Sequence, residues 1–186
     1  MINQLLNIGL DLDSTLIEPY IKAHILASYA LKEETIPKLK DFNFSNFKPH
    51  VRNEIYRLFL DDFFMNRFMR PIEGTNKKLQ IWRQQGHTLT IITARDENIQ
   101  KGSTQMIYRF FPNVIKQIDF VPLGTSKKEK MIDNKLDVWV DDNIDGVETA
   151  LDLGLKTYIV THNYNKNLKH KELIRVNNVS EIDINL

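Results

Sequence analysis

Four stretches of this 186-residue sequence carry carboxylate, hydroxyl or ammonium side chains at or near the end of an apolar run. In chain order they hold Asp11, Asp13 and Thr15; Thr93 and Arg95; Lys127 or Lys128; and Asp141 and Asp142. Carboxylates are hard oxygen ligands of the kind that Mg²⁺ takes, usually one or two of them together with a substrate phosphate. A hydroxyl and a lysine suit phosphoryl oxygens. If the stretches meet in the fold, the sequence predicts metal-assisted chemistry on a phosphate group.

The elements that must position these residues alternate along the chain. Short apolar runs have the length and composition of buried parallel strands: Leu5–Leu12, Thr88–Ile92, Ile118–Val121, Val138–Val140 and Thr157–Val160. Helical patterns lie between them: Glu73–Gln85 before Gly86, Asp96 as a cap through to Phe111, Ser126 as a cap through to Asn134, and Ile144–Leu153 before Gly154. Because parallel strands require crossover connections, we predict an α/β fold, a doubly wound (Rossmann-like) parallel sheet.

One segment after the first strand breaks the alternation. Pro19 can open a helix, Val51–Met65 has an amphipathic pattern, and Phe42, Phe44 and Phe47 lie between these two regions. The simplest interpretation is a small α-helical cap inserted into the sheet domain. The predicted organisation is therefore a core of residues 1–17 and 72–186, with the insertion at 18–71.

Ligands of open α/β sheets bind beyond the carboxyl ends of the strands, which is where the aspartates fall in this arrangement. Four carboxylates at one edge would repel one another strongly unless a cation neutralised them. We therefore expect a Mg²⁺ site there, with Thr93 and a lysine beside it to hold phosphate. The residue types alone leave the choice between Lys127 and Lys128 open.

The four stretches resemble, in order, the four motifs of the haloacid dehalogenase (HAD) superfamily of phosphohydrolases. The matching residues are Asp11-Leu12-Asp13-Ser14-Thr15, Thr93 in Ile-Ile-Thr-Ala-Arg, Lys127, and Val140-Asp141-Asp142-Asn143. The position of the insertion resembles that of the C1-capped branch. The motif forms, with the late Thr-His-Asn-Tyr-Asn and Ile-Arg-Val-Asn-Asn segments, look like nucleotidases of the cytosolic 5′(3′)-deoxyribonucleotidase type. Ser14 departs from the pattern, since many relatives have glycine there.

This resemblance implies roles for the carboxylates. Asp11 would be the nucleophile that forms an aspartyl-phosphate, and Asp13 the general acid and base. Mg²⁺ would be held by Asp11, by the main-chain carbonyl of Asp13, and by Asp142. Asp141 would support the site or pair with the lysine, and the choice of direct ligand between Asp141 and Asp142 stays open.

The resemblance also implies phosphate-binding residues, namely Thr93, the neighbouring amide of Ala94, and Lys127. Several further side chains are candidate substrate contacts, each with an ordinary structural alternative. Arg95 either contacts substrate or is a surface group at a helix start. Phe44 and Phe47 either stack on a nucleobase or belong to the core, and Tyr164 follows the last predicted strand.

The implied function is Mg²⁺-dependent hydrolysis of phosphomonoesters, with nucleoside monophosphates as the first expected substrates of a 5′-nucleotidase or deoxyribonucleotidase. Two alternatives stay open: a phosphatase for another small phosphoester, such as a sugar phosphate or a 3′-phosphate end, and a non-catalytic binding protein with the same fold. A receiver domain of two-component signalling is disfavoured, because there the acidic pair comes at the first strand and the lysine at the last.

The amino-acid composition limits the classes of binding partner that we expect. Lys and Arg total 25 against 24 Asp and Glu, a net charge of +1, so no basic field favours long nucleic acids or membranes. The absence of cysteine excludes disulfides and thiolate sites. Without a signal-like start or an apolar run of about 18 residues, we expect a cytoplasmic protein that binds a small phosphorylated substrate. A homo-oligomer is compatible with the sequence, and the basic run Lys166–Arg175 is interpreted as a solvated face.

Overall fold

A computed structural model of the chain describes residues 4–18, 27–32, 45–59, 69–95 and 97–184. Within these ranges one sheet contains β1 (Asn7–Leu10), β2 (Thr88–Thr93), β3 (Gln117–Phe120), β4 (Val138–Asp141), β5 (Lys156–Val160) and β6 (Leu173–Val176). The strand order is β3-β2-β1-β4-β5-β6, and all neighbouring strands are parallel. This is the order of a doubly wound sheet, so the predicted α/β fold class is confirmed.

The helices that accompany the sheet are short and amphipathic. Those that lie wholly within the described residues are α1 (Pro49–Phe59), α2 (Thr75–Gln84), α3 (Gln100–Phe110), α4 (Lys128–Asp133) and α5 (Ile144–Asp152). Short 3₁₀ turns occupy Glu97–Ile99 and Val179–Glu181. None of the helices in the described ranges is long and apolar enough to span a bilayer.

The helix ends follow the sequence signals with small differences. α2 ends one residue earlier than predicted. Gly86 then takes a φ of 93°, a conformation that would be strained for a residue with a side chain. The amide of Lys128 bonds to Ser126 Oγ at 3.2 Å, so Ser126 supports the start of α4 from two residues before it. Asn143 caps the start of α5, and its side chain accepts a hydrogen bond from the amide of Asp145 at 2.9 Å. Asp96, the predicted cap of the third helix, lies outside the described residues.

The sheet is covered on both faces, as its buried strands require. In β4, Val138 and Val140 belong to the larger apolar cluster, whereas Trp139 belongs to the smaller one. Successive strand residues point to opposite faces, so these clusters are the two sides of the sheet. Trp82 and Trp139 are both fully buried and belong to these clusters.

One strand was not predicted. This strand is Leu173–Val176, and its first three residues fall within the basic run Lys166–Arg175 that the sequence analysis interprets as a solvated face. Of the strand's four residues only Val176 is buried, and Arg175 stands in the middle of the strand. An edge strand with charged residues and little apolar surface gives a weak period-2 signal, which is why the pattern was missed.

The chain leaves and re-enters the sheet domain at neighbouring points around the predicted insertion. Ile17 and Pro71 form an antiparallel bridge, and the amide of Glu18 donates to the carbonyl of Arg70 at 3.0 Å. Only part of 18–71 is described, and the helix predicted from Pro19 lies outside the described residues. The segment's organisation as a helical cap therefore stays a prediction, as does the extension of α1 to Met65.

A buried histidine joins the starts of β1 and β2. The amide of Leu6 donates to Nδ1 of His87 at 3.1 Å, and the side chain is 5% exposed. Burial lowers the pKa of His87 below its ordinary value of 6.5. The folded protein therefore keeps this ring neutral at a pH where the unfolded chain takes up a proton, and stability falls as the pH drops below about 6.5.

We expect His87→Asn to weaken this pH dependence, because Asn Oδ1 can accept the same hydrogen bond and does not titrate. The change in slope should stay below the one-proton limit of about 1.4 kcal/mol per pH unit. Urea unfolding between pH 5 and 7.5 measures it, with the exposed His170→Asn as the control. Equal slopes in His87→Asn and the unaltered protein would contradict the interpretation.

Candidate active site

Three aspartates meet where the strand order reverses. Asp11 directly follows β1, and its amide donates to the carbonyl of Val140 in β4 at 2.9 Å. Asp141 ends β4 and Asp142 comes next. Since β1 and β4 are neighbours from which the chain proceeds in opposite directions across the sheet, their carboxyl ends border the crevice in which open α/β folds bind ligands.

The three carboxylates are buried together. Asp11 is 7%, Asp141 0% and Asp142 1% exposed, and one oxygen from each lies within 4.8 Å of the others. Burial raises the pKa of Asp11 to about 7; the charge of Lys127 opposes this shift and the charges of Asp141 and Asp13 add to it. Burial and the charges of Asp11 and Asp141 also raise the pKa of Asp142 well above its ordinary value. The site therefore favours an additional positive charge.

Lys127 supplies part of that charge. Its Nζ donates to Asp11 Oδ1 at 2.6 Å and to Asp141 Oδ2 at 3.0 Å. Burial alone would lower the pKa of Lys127, but the charges and hydrogen bonds of the two carboxylates outweigh it and raise that pKa. The ammonium group therefore stays protonated. The structure brings Lys127 to the aspartates, whereas Lys128 is exposed.

Both oxygens of Asp141 are already engaged. Oδ1 accepts the amides of Asp142 at 2.8 Å and Asn143 at 2.9 Å, while Oδ2 accepts Lys127. Gly146 in the first turn of α5 packs against this carboxylate so closely that a Cβ there would lie 2.1 Å from Oδ2. Asp141 thus pairs with the lysine, one of the two alternatives that the sequence left open.

Asp142 is held by two hydroxyl groups. Thr15 Oγ1 donates to Oδ1 at 3.0 Å, and the hydroxyl of Tyr164 donates to Oδ2. Tyr164, predicted as a substrate contact, is thus placed beside a carboxylate of the site. The side-chain amide of Asn165 donates to the carbonyl of Asp142 at 2.8 Å, a contact that sequence reasoning missed. Its only signal was the run of polar residues after β5.

Asp13 forms a two-pronged ion pair with Arg95. Nε donates to Oδ2 at 2.8 Å and Nη2 to Oδ1 at 2.5 Å, while Nη1 donates to Ser103 Oγ at 2.8 Å. Arg95 is 4% exposed, which contradicts the surface alternative that the sequence left open for it. The Asp13 side chain is 18% exposed, compared with 9% for Asp11. No local motif in the sequence signals this pair.

The remaining predicted residues that the structure describes lie along the same edge or in the core. Thr93 ends β2 and is 1% exposed, and Ala94 follows it half-buried. Ser14 adopts a φ of 63°, in the region that favours glycine, which explains why glycine would suit this turn. Phe47 is 5% exposed and belongs to the larger apolar cluster, so it presents little surface to a substrate. Phe44 and Phe42 lie outside the described residues.

The donor set fits a hard divalent cation. It consists of carboxylate oxygens close together, and among the described residues the three buried aspartates are contacted by a single lysine. Oxygen ligands of this type suit Mg²⁺ rather than softer metals, which prefer thiolate or imidazole. The site therefore has the chemistry to hold Mg²⁺ beside Asp11.

No family model and no curated protein matches the sequence, whereas solved structures match its fold. CbbY from Rhodobacter sphaeroides, solved with phosphate, matches with a TM-score of 0.63 and 12% identity, and the match covers 96% of each chain. A haloacid dehalogenase-like family protein from Streptococcus pneumoniae matches with a TM-score of 0.59 and 16% identity. The match covers 92% of this chain and 93% of the S. pneumoniae protein. A protein assigned as a phosphoglycolate phosphatase from Lactobacillus delbrueckii subsp. bulgaricus matches with a TM-score of 0.68 and 13% identity, and the match covers 96% of each chain. These similarities show that the chain has the HAD fold.

We expect Gly146→Ala to lower the free energy of unfolding by about 1–3 kcal/mol, because the new methyl group must displace the Asp141 carboxylate from Lys127. Urea unfolding measures the loss. In an Asp141→Ala background the clash is absent, so the same substitution should be neutral or stabilising by up to about 1 kcal/mol, as alanine for glycine in a helix usually is. A loss of equal size in both backgrounds would show that Asp141 is not what excludes the side chain.

Proposed function

We propose that this chain is a phosphomonoester hydrolase of the HAD superfamily, dependent on Mg²⁺, that acts through an aspartyl-phosphate on a small phosphorylated substrate. The observation that carries the proposal is the cluster of Asp11, Asp141 and Asp142 paired with Lys127 at the carboxyl edge of the sheet. Groups with strongly perturbed pKa values and a specific charge partner are typical of active sites.

In the proposed site, Asp11 and Asp142 would bind Mg²⁺ with their carboxylates, and Asp13 with its main-chain carbonyl. Asp141 is less suited to direct binding, because its two oxygens accept two amides and the lysine. When bound, the ion supplies positive charge beside the phosphoryl oxygens and offsets the excess of carboxylates.

The proposed reaction has two displacements at phosphorus. A carboxylate oxygen of Asp11 forms a bond to phosphorus while the bond to the leaving oxygen breaks, and the Asp13 carboxyl donates a proton to that oxygen. The Asp13 carboxylate then takes a proton from the water that attacks the aspartyl-phosphate. Inorganic phosphate is released and the Asp11 carboxylate is restored. Lys127, Thr93 and the amide of Ala94 would bind the phosphoryl oxygens during both steps.

The Arg95 ion pair would hold Asp13 in place for proton transfer. Two donors of one planar guanidinium fix both carboxylate oxygens, and Ser103 fixes the guanidinium in turn. This support favours a role for Arg95 through Asp13 over the predicted direct substrate contact.

We propose nucleoside monophosphates as the first substrate class, on the resemblance of the motifs to deoxyribonucleotidases. Sugar phosphates are the second, favoured by CbbY from Rhodobacter sphaeroides, whose structure with xylulose 1,5-bisphosphate matches this chain with a TM-score of 0.64 and 12% identity. We further propose that residues 18–71 form the cap that selects between such substrates, since the chain enters and leaves this segment beside the turn that carries Asp13.

We expect Mg²⁺-dependent phosphate release from nucleoside monophosphates or sugar phosphates, and a loss of at least about 1,000-fold in Asp11→Asn, which lacks the nucleophile. A colorimetric phosphate assay over both substrate panels, with and without Mg²⁺, measures it. Asp145→Asn, an exposed aspartate near the same edge, should retain activity. No release from any substrate would favour the binding-protein alternative, and full activity in Asp11→Asn would exclude the aspartyl-phosphate.

For Arg95→Lys, we expect kcat/KM on an alkyl phosphate to fall about 100-fold, the scale of general acid catalysis, but on p-nitrophenyl phosphate by less than about threefold. The reason is that nitrophenolate leaves without a proton, whereas an alkoxide needs one from Asp13. The parameter kcat/KM covers only the steps up to release of the leaving group. The exposed Arg83→Lys is the control. Equal losses on both substrates would mean that Arg95 binds phosphate instead.

A further inference from the structure

The turn after β5 forms hydrogen bonds with the residue that follows β4 and with the end of β5. The side-chain amide of Asn165 donates to the carbonyl of Asp142 at 2.8 Å and to the carbonyl of Val160, the last residue of β5, at 2.7 Å. One amide group thus joins the end of β5 to the residue that follows β4. Asn165 is itself fully buried, and its main-chain carbonyl accepts a hydrogen bond from the side chain of Arg175 in β6 at 2.9 Å.

The same turn contacts the first motif. The ring of His162 stacks on the ring of Tyr164, with centroids 5.2 Å apart and an angle of 21° between the planes. Nε2 of His162 lies 2.9 Å from the carbonyl oxygen of Ser14. Because a carbonyl oxygen only accepts, Nε2 must carry the proton in this contact. The stacked pair therefore spans from the Ser14 turn to the Asp142 carboxylate.

We infer that Tyr164, braced by His162 and Asn165, is a positioning residue that orients the Asp142 carboxylate toward a divalent cation. This inference rests on the metal site of the proposed function. It assigns the tyrosine to the metal site, whereas the sequence offered it as a substrate contact.

The geometry of Asp142 explains why such a residue is needed. Its carboxylate lies among like charges and would rotate away from Asp11 and Asp141 if it were not held. Thr15 holds Oδ1 and Tyr164 holds Oδ2, which fixes the plane of the group. Each carboxylate oxygen has two acceptor sites, so each can still bind a cation after accepting one hydrogen bond. Partners of this kind orient metal ligands, and losing one typically weakens metal binding about 10–100-fold.

The test is Mg²⁺ binding by the 186-residue chain, measured without substrate. Isothermal titration calorimetry gives the dissociation constant, and the Mg²⁺-induced rise in the unfolding midpoint gives an independent estimate. Tyr164→Phe removes a single hydroxyl and keeps the ring that stacks on His162. The matched control is Tyr158→Phe, which removes the hydroxyl of another tyrosine, one that donates to the carbonyl of Asp183 at 2.8 Å.

We expect the Mg²⁺ dissociation constant to rise about 10–100-fold in Tyr164→Phe and to change less than about twofold in Tyr158→Phe. A second variant, His162→Gln, keeps an N–H donor for Ser14 but removes the stacked ring, and should weaken binding in the same direction by less. Unfolding midpoints without Mg²⁺ report separately on the structural contribution of each side chain.

Each outcome decides between the claims. Unchanged or tighter Mg²⁺ binding in Tyr164→Phe would overturn the inference while leaving the proposed metal site intact. Unchanged binding in His162→Gln alone would remove the bracing role of His162. If the unaltered chain binds no Mg²⁺, the metal site of the proposed function fails, and the inference fails with it.

Discussion

The arrangement of the site depends on one buried ammonium group that serves two carboxylates. Lys127 is 10% exposed and binds Asp11 and Asp141, with Asp142 alongside. Buried ion pairs rarely stabilise a fold more than apolar side chains of the same volume would. A cluster with more negative than positive charge is still less favourable, so stability alone does not explain it. The arrangement is the one that a cation and a phosphate would complete, and for that reason we interpret it as functional.

This constraint fixes much of the fold around it. Asp11 and Asp141 share one lysine because β1 and β4 are neighbours, at the point where the sheet order reverses. The lysine comes from the connection between β3 and β4, immediately before α4. Asp141 further requires a residue without a side chain at Gly146, where α5 passes the end of β4. The sheet order, the start of α4 and the position of α5 are thus linked through three charged groups.

The sequence predicts the strand ends well, because each buried strand is a local apolar run and the four motifs follow in a recognisable order. It does not predict which side chains pair across the site. Arg95 and Asp13 are 82 positions apart, and Tyr164 and Asp142 are 22 apart. Such contacts depend on how the loops after β2 and β5 fold over the sheet edge, which no local periodicity encodes. β6 was missed for the opposite reason, since an edge strand with one buried residue lacks the apolar pattern that marks the others.

The aspartate side chains of the site differ in how much of each is exposed to solvent. The side chain of Asp141 is inaccessible, that of Asp11 is 9% exposed, and that of Asp13 is 18% exposed. In the proposed reaction this order places the metal and the phosphoryl group at the bottom and the proton donor at the opening, where a leaving group would lie. Asp13 belongs to the turn that pairs, through Ile17, with Pro71 at the other end of the 18–71 segment. In this proposal, the residues that act on phosphorus lie on the sheet edge, and discrimination among leaving groups would fall to the segment that begins beside Asp13.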